Sequence, residues 1–177
     1  MMRSSRVEAQ ALKALEAAGV KKIPVDPTAV AQFHGVVVWE TDDLPDNISG
    51  LMQRDDGEPV IVVNRDHKPQ RRRFTVAHEL GHALLHDDNF IVDKTARVRL
   101  RDKESSLAIH TEEIEANAFA AELLMPRHHV VKQVTRAMKS NKNVTEPGLI
   151  RDLAGRFDVS EQAMGFRLVN LGFISSF

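Results

Sequence analysis

The pattern of apolar and polar residues predicts helices arranged around a small β-sheet. In most segments apolar side chains recur every three or four residues, which indicates amphipathic helices. The apolar run VIVV at 60–63 indicates a strand, and the turn DDGEP before it predicts a hairpin, because Gly57 can adopt a positive φ. The predicted strands are residues 36–39, 48–54 and 60–64, with 91–93 and 98–100 as weaker candidates. The predicted helices are residues 5–18, 27–35 (with Asp26 as N-cap), 69–86, 111–124 and 128–139, and two short ones within 148–173.

These elements predict an α+β fold with a sheet of about three strands, and the composition narrows the class of protein. The chain has 177 residues, of which 42% are hydrophobic and 28% charged, enough for a packed core. A net charge of −1 indicates no general attraction to nucleic acid or to an anionic membrane. The absence of cysteine excludes thiolate metal sites and is typical of a reducing compartment. No apolar run has the length of a membrane span or a signal peptide, so we expect a cytoplasmic protein without membrane contact.

The predicted helix over 69–86 contains the stretch HELGHALLH, residues 78–86. Residues four apart on a helix lie about 6 Å apart on one face, so His78 and His82 can bind one ion. Glu79 is turned by about 100° from His78 and can take a proton from a metal-bound water, as in zinc peptidases. His86 lies about 12 Å along the axis from His78, too far to share the ion. We expect it to be a helix-terminal cation or a hydrogen-bond donor behind the ligands.

Gly81 costs the middle of this helix about 1 kcal/mol relative to alanine. A close-packed strand or a substrate backbone would explain its presence.

A catalytic zinc ion needs a third protein ligand, which without cysteine must be His, Asp or Glu. The next predicted helix offers Glu112, Glu113, Glu115 and Glu122. Glu113 is favoured because Asn117 lies one turn further on and can hydrogen-bond the ligand carboxylate or a metal-bound histidine. Glu115 stays open as the alternative. A His₂Glu donor set also accepts other divalent ions, such as Mn²⁺.

Two stretches together, RRRFTVAHELGHALLH and EEIEANAFAAELLMP, resemble the ImmA/IrrE family of metallo-endopeptidases. The resemblance covers most of residues 7–135. It implies a small zincin-like fold, Zn²⁺ held by His78, His82 and Glu113, and Glu79 as the catalytic base. Members of that family typically cut a helix-turn-helix repressor. The resemblance therefore implies a zinc-dependent endopeptidase of narrow specificity whose substrate is an XRE-type repressor.

The last part of the chain has the spacing of a helix-turn-helix, with Ser160 as N-cap of its second helix. We therefore divide the chain into a zincin-like metallopeptidase domain at 1–140 and a helix-turn-helix-like helical segment at 141–177. The second helix carries one basic residue, Arg167, and one acidic residue, Glu161, which is a weak footprint for DNA. A structural or repressor-docking role is favoured, and direct DNA contact stays open.

The alternative function is a non-enzymatic regulator or toxin–antitoxin component that binds a partner protein or DNA, with a structural metal. Glu79 speaks against it, because a structural site has no use for a base. The chain has no tyrosine, so a protein donor to the oxyanion must be a histidine, an arginine or the backbone, and His110 and Arg97 are candidates. The arginine run 71–73 is interpreted as a solvated surface or as a docking site for an acidic partner or a phosphate.

Overall fold

The structure, a computed structural model, describes residues 2–86, 90–94, 103–140 and 145–175. This part of the chain contains seven helices and one four-stranded sheet, which confirms the predicted α+β class. The helices are α1 (Met2–Ala17), α2 (Pro27–Phe33), α3 (Pro69–Leu85), α4 (Lys103–Leu124), α5 (Arg127–Ser140), α6 (Glu146–Phe157) and α7 (Glu161–Asn170). The strands are β1 (Val37–Thr41), β2 (Ile48–Asp55), β3 (Glu58–Asn64) and β4 (Phe90–Lys94).

The sheet has the strand order β1-β3-β2-β4. Strand β1 runs parallel to β3, whereas β2 is antiparallel to both β3 and β4. The predicted hairpin is present: Asp56 and Gly57 at its turn have φ angles of 48° and 88°, the two positive values that a two-residue hairpin favours. The weaker strand candidate at 91–93 forms β4, so the sheet has one strand more than expected. The candidate at 98–100 lies outside the described residues.

Helix α4 begins eight residues before the predicted start, at Lys103 rather than Thr111. The added segment lacks a clear apolar stripe, but it contains lysine, glutamate, leucine and alanine, which all favour helix. The N-cap of α2 is as predicted, because the Asp26 carboxylate accepts hydrogen bonds from the backbone N–H groups of Thr28 and Ala29. Of the described helices, none is long and apolar enough to cross a membrane.

Two glycines let α3 approach its neighbours closely. A Cβ added to Gly50 in β2 would lie 2.5 Å from the Cγ2 of Thr75, so the helix rests directly on the sheet. A Cβ added to Gly81 would lie 3.2 Å from the Cα of Ala116 and from the Cβ of Phe119, both in α4. Gly81 is therefore explained by a close helix, and not by the strand or substrate backbone that we expected. The close crossing brings the side chains of α4 onto the histidine face of α3.

The arginine run 71–73 holds elements of the fold together, although the Arg71 side chain is also exposed. The Nη2 of Arg71 donates to the hydroxyl of Ser49 at 2.7 Å. Arg72 forms a 2.6 Å ion pair with Glu40. Arg73 donates to the carbonyl oxygens of Asp158 and Val25, at 3.0 and 2.6 Å. The three side chains thus connect α3 to the sheet, to the start of α2 and to the turn between α6 and α7.

The C-terminal helices α6 and α7 pack into the same core as the rest of the chain. The turn between them contains Asp158 in the left-handed region, with φ 52°, and the Ser160 hydroxyl caps α7 by accepting from the N–H of Ala163 at 3.1 Å. Arg167 of α7 forms a buried ion pair with Glu122 of α4. The two helices are therefore anchored on α3 and α4, and the division of the chain at residue 140 stays a prediction. Their buried apolar residues in the shared core are Leu149, Ile150, Leu153, Ala154, Phe157, Met164 and Leu168.

Candidate metal centre

Three side chains from two helices converge where α3 crosses α4. The Nε2 of His78 lies 3.1 Å from the Nε2 of His82. The carboxylate oxygens of Glu113 lie 3.4 Å from the Nε2 of His78 and 3.2 Å from the Nε2 of His82. Donors in a tetrahedral zinc site, with bonds of about 2.0–2.1 Å, lie roughly 3.3 Å apart. The spacing and chemistry of this His₂Glu set therefore fit a shared divalent ion.

The burial of the three donors is uneven. His78 and His82 are buried, whereas the Glu113 side chain is 35% exposed, so the centre opens to solvent on the α4 side. Burial lowers the pKa of His82, and this is opposed by its hydrogen bond to Glu113. Burial alone would raise the pKa of Glu113, but hydrogen bonds to His78 and His82 lower it well below its usual value. A neutral imidazole and an ionised carboxylate are the forms that bind a metal.

Glu79 lies next to His78 on α3 and is fully buried. Its position follows from the helix, which turns it about 100° from the ligand face and keeps it in the same turn. The structure thus has a buried acidic side chain directly after a candidate ligand in the chain. Its role as a base is part of the proposal below.

The alternative third ligand, Glu115, is directed to a different histidine. Its Oε2 lies 3.2 Å from the Nε2 of His86, and it is not among the donors that surround His78 and His82. The other ring nitrogen of His86, Nδ1, lies 3.1 Å from the Nδ1 of His82. His86 is therefore outside the donor set, as expected from its distance along α3, and contacts a candidate ligand from behind.

Asn117 does not take the place that we predicted for it. Its side chain is exposed, and within the described ranges it hydrogen-bonds to neither Glu113 nor the site histidines. Residues four apart on a helix can meet, but the Asn117 side chain lines the groove beside the centre instead. Of the two candidate oxyanion donors, His110 is exposed in the N-terminal half of α4, and Arg97 lies outside the described residues.

A large groove adjoins the centre, which the sequence did not indicate because its walls come from distant parts of the chain. It has a volume of about 970 Å³ and runs between α3, α4 and α7. Phe74, at one end, stacks against His78 with ring centroids 6.3 Å apart. Ile114, the neighbour of Glu113 in the chain, and Phe166 of α7 are both more than half exposed along the groove. The groove therefore extends from Phe74, which stacks on the candidate ligand His78, to the C-terminal helix. Of the described residues that line it, none is one of the three donors.

The sequence was also compared with known proteins. A model of the IrrE N-terminal-like domain, a peptidase family, matches residues 31–169, which is more than half of the chain. The chain belongs to this family. Membership confirms the resemblance noted from the sequence, and the matched range extends across both the metal centre and the C-terminal helices.

Individual relatives agree with this family. The uncharacterized immunity region protein 2 of Bacillus phage phi105 is 29% identical over 126 residues, which are 71% of this chain and 73% of that protein. The radiation response metalloprotease IrrE of Deinococcus deserti is 37% identical over 103 residues, 57% of this chain and 32% of the relative. Its counterpart from Deinococcus radiodurans is 32% identical over 111 residues, 62% of this chain and 30% of the relative. This chain thus spans about a third of the length of those two metalloproteases.

A solved structure with a similar fold is that of a Mycobacterium tuberculosis transcriptional regulator. The TM-score is 0.62, the sequence identity is 19%, and the match covers 93% of this chain and 46% of the other. At that identity the likeness establishes the fold alone.

Proposed function

We propose that this chain is a zinc-dependent endopeptidase of narrow specificity. The observation that carries the proposal is the convergence of His78, His82 and Glu113, with all three donor atoms within 4.8 Å of one another, beside the buried Glu79. Across the described residues this group has three donors, whereas structural zinc sites use four and catalytic ones keep a position open for water. The same donor set would also hold Mn²⁺.

Each side chain of the centre has a distinct role in peptide hydrolysis. A bound divalent ion supplies polarisation of the scissile carbonyl and a lowered pKa of the attacking water. Glu79 accepts a proton from that water as the new C–O bond forms, and donates it to the amine nitrogen as the C–N bond breaks. Since Glu79 is buried, no bulk water competes for its proton. His78, His82 and Glu113 hold the ion in place.

The groove beside the centre fits a segment of polypeptide. Its wall is largely apolar, with Phe74, Ile114 and Phe166 along its length and polar side chains such as Gln162 and Asn170 at its edge. We propose an XRE-type helix-turn-helix repressor as the substrate, cleaved so that transcriptional repression is relieved. Relatives named for a phage immunity region and for a radiation response support a regulatory role.

Binding of DNA by α7 is disfavoured. Arg167 is the one basic residue of that helix, and it is only 4% exposed because it pairs with Glu122 and donates to the carbonyl of Met125. A helix that reads DNA must present cations to phosphates. The alternative of a non-enzymatic DNA-binding regulator with a structural metal therefore has less support than the peptidase.

The test is incubation of the purified chain with the helix-turn-helix repressor encoded beside it, followed by intact-mass measurement. With Zn²⁺ or Mn²⁺ present, the wild-type chain is expected to produce two fragments from one cut. A chelator is expected to stop cleavage, and Glu79→Gln is expected to lower it by at least about 10²-fold, the contribution of a general base.

Two controls make this result specific. Glu79→Gln should still bind one zinc ion with near wild-type affinity, which shows that the centre is intact and only the base is lost. Undiminished cleavage by Glu79→Gln, or no cleavage by the wild-type chain with either metal, would overturn the proposal.

A further inference from the structure

Next to the candidate metal centre, a third histidine, His86, and a second glutamate, Glu115, extend the line of contacts. The Nδ1 of His82 lies 3.1 Å from the Nδ1 of His86. The Nε2 of His86 lies 3.2 Å from the Oε2 of Glu115. His86 comes from the C-terminal end of α3 and Glu115 from α4, so this line joins the same two helices as the metal centre.

The chemistry of imidazole gives this line a direction. His82 presents its Nε2 to His78 and Glu113, so in a metal-loaded centre that nitrogen needs its lone pair and Nδ1 carries the proton. The Nδ1–H then donates to the Nδ1 of His86, which must accept. A neutral His86 has its proton on Nε2, from which it donates to the Glu115 carboxylate. Each contact then joins one donor to one acceptor.

The backbone holds His86 where this line needs it. Its N–H donates to the carbonyl of His82, which ends the helix. The guanidinium of Arg54, in β2, donates to the carbonyls of Ala83 and His86 at 3.1 and 3.2 Å. A cation at the C-terminus of a helix is favourable, because it meets the negative end of the helix dipole. The sheet therefore fixes the end of α3, and the His86 ring is largely buried against Glu115.

We propose that His86 and Glu115 are positioning residues that fix His82 in its metal-binding tautomer through the chain Glu115–His86–His82. Partners of this kind orient a ligand ring and raise its basicity, and their loss costs metal affinity even though they never touch the ion. The inference rests on the proposed function, because it assumes that His82 binds a metal. It assigns a role to the carboxylate that sequence alone left as an alternative ligand.

The test is zinc affinity of the full chain, measured by competition with a chromophoric chelator. His86→Leu removes both the acceptor and the donor, and is expected to weaken zinc binding about 10–100-fold. His86→Gln can accept at its amide oxygen and donate from its amide nitrogen, so it is expected to lose less than about tenfold. The matched control His128→Leu removes an exposed histidine of α5 and should leave the affinity unchanged.

A second measurement uses the wild-type protein and does not depend on folding of a variant. Long-range ¹⁵N–¹H correlation spectra of the zinc-loaded chain are expected to place a proton on Nδ1 of His82 and on Nε2 of His86. A proton on the Nδ1 of His86 would overturn the proposal, as would a His86→Leu variant that binds zinc as tightly as wild type. Equal losses in His86→Gln and His86→Leu would also count against it. If the wild-type chain binds no zinc, the proposed function fails as well. If the wild-type chain binds zinc tightly and the His86 variants bind it equally well, only the positioning role of His86 and Glu115 is overturned.

Discussion

Two of the glutamates on helix α4, Glu113 and Glu122, lie about 13 Å apart along its axis. Their surroundings differ in burial and in the side chains that they contact. Glu113 faces two imidazoles and is 35% exposed, and its pKa is lowered by their hydrogen bonds despite partial burial. Glu122 is 1% exposed and faces the guanidinium of Arg167; burial raises its pKa, and the arginine charge opposes this.

The two carboxylates differ in whether their partner side chains leave them able to bind a metal ion. A guanidinium is a permanent cation that occupies the carboxylate of Glu122 with its own N–H donors. Imidazoles have lone pairs that can turn to a metal, and the open side of Glu113 leaves room for water and substrate. The C-terminal end of α4, at Glu122, therefore holds the C-terminal helix in place, and the middle of α4, at Glu113, has the features of a reactive centre.

The largest effect on stability is expected at the buried ion pair of Glu122 with Arg167. Glu122→Ala removes the buried carboxylate beside Arg167, which keeps only the Met125 carbonyl and the Glu8 carboxylate at 3.8 Å. The free energy of unfolding of the metal-free chain should fall by about 3–5 kcal/mol, measured by chemical denaturation. Replacing both residues, Glu122→Leu with Arg167→Met, should restore most of that loss. Glu161→Ala breaks an exposed pair with Arg151 and is the matched control, expected to cost under about 1 kcal/mol. A loss in Glu122→Ala no larger than in Glu161→Ala would show that the buried pair does not anchor α7.

A substitution at Glu113 should change the affinity for metal instead of the stability. Glu113→Gln removes a ligand oxygen charge, so zinc affinity is expected to fall by more than the roughly 100-fold that outer-shell changes cost. The metal-free protein should unfold within about 1 kcal/mol of wild type, because the glutamine amide can still hydrogen-bond to the two imidazoles. Glu112→Gln, one residue away, is the control and should keep zinc. Full zinc occupancy in Glu113→Gln at limiting metal would remove Glu113 from the site.

Gly81 packs against α4 between Glu113 and Glu122, and the crossing of α3 and α4 at this glycine should tolerate little added volume. Gly81→Ala gains about 1 kcal/mol of helix propensity but places a Cβ 3.2 Å from the backbone of Ala116, and such overpacking typically costs about 1–3 kcal/mol. We expect weaker zinc binding, because α4 must shift Glu113 away from the histidines. Gly155→Ala is the matched control: it is a helical glycine with open space around it, and the change should be neutral or stabilising. Tighter zinc binding in Gly81→Ala would contradict this view of the crossing.

The smallest effect is expected from a substitution in the groove between α3, α4 and α7. Phe166→Ser removes an exposed aromatic side chain from the groove and should lower kcat/KM for the repressor by about tenfold, with zinc affinity unchanged. Phe33→Ser changes an aromatic residue of similar exposure on α2, outside the groove, and should leave kcat/KM as it was. Equal kcat/KM values for the two variants would argue that substrate does not lie along α7.

Local rules explain which features could be predicted from the sequence. The Asp26 cap, the turn at Gly57 and the spacing of His78 and His82 each depend on residues within one element or its flanks. Glu113 was favoured over Glu115, and the structure places it with the histidines, although the Asn117 contact used to favour it is absent.

Features that join distant parts of the chain could not be predicted. Arg73 contacts Asp158, which is 85 residues away. The pairing of His86 with Glu115 depends on the crossing of α3 and α4, and that crossing is set by the missing side chain of Gly81. The apolar pattern gives the faces of helices but not their separation, which is decided by the side chains at the contact.

The most direct test is the position of zinc in crystals of the zinc-loaded chain, located by anomalous diffraction at the zinc edge. The expected result is one ion within about 2.0–2.2 Å of the Nε2 of His78, the Nε2 of His82 and an oxygen of Glu113, with a water as fourth ligand. An ion bound by Glu115 in place of Glu113, or closed by a fourth protein side chain, would contradict a catalytic centre at this crossing.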